Sequence, residues 1–93
     1  MIQQRPKVET IDCARAMRDG GIDAMAALDM SLAEALSSLS SANAETLKLT
    51  VGQLMSSIID ALITPALAAY PELEPDTKTW EAIAKSRAAA RAN

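Results

Sequence analysis

Side chains that do chemistry near neutral pH usually need a group that can move a proton, and this chain lacks the commonest one, because it contains no histidine. Histidine-based acid/base catalysis, phosphohistidine relay and most transition-metal sites therefore have no starting point. The single thiol, Cys13, has no imidazole to activate it, so it reads as a small, partly buried helical residue rather than a nucleophile. Carboxylates are scattered about one per turn, without the Glu-x-x-His pairs of di-iron bundles. Gly20-Gly21 is followed by no phosphate-cradling pattern. No catalytic residue, metal ligand or cofactor is expected, and the protein is read as a non-enzyme.

Two polar residues stand out within apolar surroundings. Asp60 interrupts the run Ile58-Ile59-Asp60-Ala61-Leu62-Ile63, a setting in which burial would raise its pKa. Gln53, Ser57 and Thr64 share its helical face, so a solvated strip is the better reading. Asp60 and Tyr70 are the candidate polar handles for a ligand held between helices.

The element that carries these residues spans about 44–70. Thr46, Thr50, Gln53, Ser57, Asp60 and Thr64 recur at steps of three and four and form one narrow polar stripe. Nearly all else in the segment is apolar, over more circumference than a surface helix needs. This long helix is expected at the centre of the fold, with a kink or break near Pro65, which cannot donate to Ala61. Gly52-x-x-x-Ser56 is a small-residue spacing that lets a second backbone approach closely. With Leu54, Met55, Ile58, Ile59 and Leu62 it forms the candidate self-association or partner face.

Around it, Val8, Ile11, Ala14 and Met17 define a first helix that Gly20-Gly21 should stop. Asp23 should cap a second, with Met25, Leu28, Leu32, Ala35, Leu36 and Leu39 on its apolar face. Asn43 is the expected cap of the long helix. Residues 71–76 read as a stiff, proline-flanked connector, and a last helix follows whose Trp80, Ile83 and Ala84 dock it onto the body. The expected architecture is all-α, a small four-helix bundle over 8–86, with a flexible arm at 1–7 and a frayed tail at 87–93.

Charge divides the chain. Residues 21–77 carry eight acids and one base, Lys48, while the ends are basic, with Lys78, Lys85, Arg87 and Arg91 after that point. A broad nucleic-acid surface needs clustered bases on one face, so no nucleic-acid partner is expected. Acidic middle and basic ends can attract one another. No disulfide framework, signal peptide or membrane span is read, because the most apolar window, 54–70, is short and holds Asp60 and Pro65. A cytoplasmic, bacterium-like setting is the expectation.

With two aromatic residues and many alanines, a chain of 93 residues builds a thin core. A homodimer is therefore expected, since oligomerisation often makes up such a shortfall. The expected function is protein–protein interaction, as an adaptor, inhibitor, antitoxin-like or chaperone-like factor. The alternative is a small-molecule or lipid carrier with an apolar cavity between helices.

The solvated-strip reading makes a direct statement about Asp60. Asp60→Asn should leave chemical denaturation within about 0.5 kcal/mol of the parent; a large gain in stability would mean that the carboxylate is buried.

Overall fold

The computed structural model describes residues 7–92, so most of the expected N-terminal arm lies outside the described residues. Three long helices and no strand are present among the described residues. The all-α class agrees with the sequence, and the helix count is one lower than expected. Helix α1 spans Ile11–Leu36, a continuous helix runs over Ser41–Ala69 and is here α2, and α3 spans Thr77–Ala92.

The first correction lies in α1. Gly20-Gly21 does not stop the helix, and neither glycine takes a positive φ. A glycine inside a helix loses only about 1 kcal/mol relative to alanine, which packing readily offsets. Here the packing is visible. A Cβ placed on Gly21 would lie 2.8 Å from Ile63 Cγ1, 3.2 Å from Ile63 Cδ1 and 3.5 Å from Ile58 Cγ2. Gly21 is thus the point where α2 crosses α1 at close range. Gly20, facing elsewhere, would meet nothing within 4 Å.

The helix ends are set locally. Thr10 caps α1, its hydroxyl accepting from the Cys13 amide at 3.1 Å. Near the other end, the Ser37 and Ser38 hydroxyls donate to the carbonyls of Glu34 and Ala35 and draw the chain out of the helix. Ser40, not Asn43, caps α2, accepting from the Asn43 amide. Asn43 is the third residue inside the helix, too late in the first turn for a cap to act.

Helix α2 holds an irregularity before Pro65. Regular α-helix over Ser41–Ile58 gives way to a wider π turn at Ile59–Ile63, then α geometry resumes over Thr64–Ala69. The Thr64 amide reaches back five residues to the Ile59 carbonyl. Pro65 has no amide to donate and crowds the turn before it, so a widened turn accommodates it without ending the helix. The turn also resets the face. Ile58 and Ile63 lie about 140° apart on a regular helix at 3.6 residues per turn, yet both reach Gly21.

The core has two parts joined by Leu67. Ala14, Ala66 and Leu73 are buried with Val8, Ile11, Met17 and Tyr70 against them; Ile22, Met25 and Ile63 are buried with Met55, Ile58, Trp80 and Ile83 against them. Helix α1 contributes to both parts and receives α2 and α3. It, rather than the 44–70 helix, is the central element. Of the large side chains among the described residues, only Ile22 is fully enclosed.

The polar stripe of α2 is exposed over most of its length, and Thr46, Thr50 and Ser57 turn their hydroxyls back onto the carbonyls four residues earlier. At 29 residues, α2 is long and apolar enough to cross a membrane by length and composition, in contrast to the sequence reading of a short window. Only 17% of its most apolar stretch is buried.

The two neighbouring glycines should behave oppositely on replacement. In urea denaturation, Gly20→Ala should stabilise by about 0.5–1 kcal/mol, whereas Gly21→Ala should destabilise by about 1–3 kcal/mol because Ile63 must move. Equal effects would refute the close crossing.

Candidate interaction surfaces

The expected partner face divides once folded. Met55 and Ile58 pack on the Ile22 cluster and Leu62 is half-buried, while Gly52, Leu54, Ser56 and Ile59 are exposed. Gly52 has nothing within 4 Å of a Cβ position, so no crossing among the described residues uses it. The polar handles also separate. Asp60 is exposed on the strip, and Tyr70 packs beside Ala14, Ala66 and Leu73. Neither lines the concavity between α1 and α3.

That concavity is an open groove of about 750 Å³ between the second half of α1 and α3. Its floor is Ala26, Ala27, Met30, Ala82 and Ala88, and Met30 is 68% exposed. Glu34 on one side and Lys78, Glu81 and Lys85 on the other form a charged rim. Alanines on both helices keep the space between them open. From sequence it is hard to see: α3 shows a docking face through Trp80 and Ile83, but its alanines look like mere helix formers.

Helix α3 is held against α1 by charge as well as by Trp80. Asp23, expected as a cap, lies inside α1 and instead receives Arg91, with Arg87 Nε 3.8 Å from its other oxygen. The hydrogen bond from Arg91 holds the Asp23 carboxyl below its usual range; partial burial opposes this, and the charges of Arg91 and Arg87 add to the lowering. The sequence signal for this contact was the acidic middle facing a basic end. Residues 87–92 continue α3 to its end at Ala92.

The connector is anchored in a similar way. Pro71–Leu73 forms a short 3-10 turn that buries Leu73, and the Arg18 guanidinium donates to the Leu73 carbonyl at 2.8 Å while pairing with Asp19 at 2.8 Å. At the start of α3, Asp76 accepts from the Thr79 amide at 2.8 Å, a bond that lowers its own pKa. Cys13 is half-buried with its Sγ 3.8 Å from the Met17 sulfur. No three metal-ligating side chains are grouped among the described residues.

The chain matches no protein-family model, no curated protein and no solved structure. The surfaces must therefore be judged on their own chemistry.

Asp23 has a clear pH signature. Its pKa is lower folded than unfolded, so the stabilisation is complete above the unfolded value of about 3.9 and is lost as pH falls through the folded value. Asp23→Asn should lower the thermal midpoint at pH 7, and the gap to the parent should close in strongly acidic buffer. A gap that persists unchanged there would rule out the ion pair as its source.

Proposed function

We propose that this chain is a non-enzymatic, self-associating helical protein that works by binding another protein, in a cytoplasmic setting that keeps Cys13 reduced. The α1/α3 groove carries the reading. An apolar floor of alanines and Met30 between charged rails suits the apolar stripe of an amphipathic helix, whose own flanking charges would meet Glu34, Lys78, Glu81 and Lys85. Methionine adapts to varied side chains, and alanine lets a backbone come close. The helices that form the groove are joined by Trp80 packing and by the Asp23 ion pairs, so it is built before a partner arrives.

A carrier is the second reading, supported by one observation: about 750 Å³ falls within the 300–1,000 Å³ of small-molecule sites. The polar handle would then be Lys78 or Lys85 rather than Asp60 or Tyr70. The open, charged rim favours a polypeptide, since a carrier encloses most of its ligand.

Filling the groove separates the readings. A photo-crosslinking residue at Met30 should capture a polypeptide in cells, and Ala82→Trp, placed on the exposed floor, should abolish that capture with helicity retained. Capture that survives Ala82→Trp would overturn the groove reading. Saturable binding of an apolar fluorophore that Ala82→Trp removes, without any crosslinked polypeptide, would establish the carrier.

A further inference from the structure

Helix α3 is attached to the body differently from α1 and α2. None of its residues is buried: Trp80, Ile83 and Ala84 are half-buried and the others are exposed. Those three lie against the cluster of Ile22, Met25 and Ile63, whose buried members all belong to α1 and α2. The other cluster, Ala14, Ala66 and Leu73, takes nothing from α3. The Gly21 crossing and every buried side chain among the described residues therefore lie outside α3. What else holds the helix is ionic and converges on one carboxylate. Arg91 donates to one oxygen of Asp23 and Arg87 Nε lies 3.8 Å from the other. Both arginines are about half-exposed.

The chain also offers α3 a place to turn. Leu73 is fixed by burial and by the Arg18 guanidinium on its carbonyl. Asp76 belongs to α3, because its carbonyl and its carboxylate accept from the amides of Trp80 and Thr79. Between them stand Glu74, which is extended and exposed, and Pro75, which has no amide to tie down. A change of direction falls on these two residues. At 16 residues, capped and rich in alanine, α3 exceeds the roughly 12–15 below which isolated helices become marginal, so it stays partly helical when free.

We propose that α3 is a releasable strap, which lifts from α1 as a unit about Glu74-Pro75 with Asp23 as its catch, while α1, α2 and the connector stay folded. Release uncovers Ile22 and Met25 and removes one wall of the groove, since Lys78, Glu81, Ala82 and Ala88 leave with the strap. The strap stands whatever the groove binds; its control of partner capture rests on the groove reading. An occupant that touches both walls binds the docked form alone and so holds the strap down. Salt screens the half-exposed arginines and loosens it.

Native-state hydrogen exchange on the full chain, followed amide by amide in rising urea, tests this. The hydrogen-bonded amides of α3 should exchange as one group, roughly tenfold or more faster than the slowest amides of α1 and α2, and with a weaker urea dependence, because release exposes little surface. Asp23→Asn should speed exchange in α3 several-fold at low salt, and about 0.5 M NaCl should speed it in the parent but hardly in the variant. Gly21→Ala strains the crossing of α1 and α2, so it should speed their slow amides and leave the α3 rate unchanged. Exchange of α3 only together with α1 and α2, with the same steep urea dependence, would overturn the strap. Separate release of α3 that ignores Asp23→Asn would overturn Asp23 as the catch. Neither result bears on the groove as a binding site, which is judged by capture at Met30.

Discussion

The close approach of two helices at one glycine is the constraint on which the rest of this structure depends. Because Gly21 has no side chain, Ile58 and Ile63 can close over α1, and Ile22 and Met25 are enclosed beside them. The two isoleucines are five residues apart, and only the π turn at Ile59–Ile63 brings both to the same side. A regular helix would turn Ile63 about 140° away from Ile58, so that the two could not both reach Gly21. The same turn accommodates Pro65, so one local distortion serves both the backbone and the packing.

That crossing yields a small core that depends strongly on its edges. One large side chain among the described residues is fully enclosed, and helix α3 contributes no buried residue of its own. Its place is set by half-buried Trp80 and Ile83, by the cap at Asp76 and by the arginines on Asp23. Arg18 does the equivalent for the connector by holding the Leu73 carbonyl. Exposed charge pairs contribute little singly, but here they act where the apolar contact is thin. The alanines that make α3 a good helix also leave the groove beside it unfilled.

The periodic features were legible because they are local. The polar stripe from Thr46 to Thr64 marks a helix over about 44–70, and the observed one covers Ser41–Ala69. Trp80 and Ile83 announce the docking of the last helix, and the charge contrast announces an attraction between the middle and the end. Other features were not legible, since they depend on what lies across from each residue. Gly20-Gly21 has the same local preference whether the helix stops there or is crossed there, and the balance is decided by Ile58 and Ile63, some 40 positions away. Asp23 looks like a cap until Arg91 is placed beside it, 68 residues on. An all-helical chain, its longest helix and its lack of histidine chemistry could be read without coordinates, because periodicity and composition act without neighbours. Which helix is central, where the π turn resets the face and which apolar rows stay open were settled only by the packed chain, because those are properties of contact.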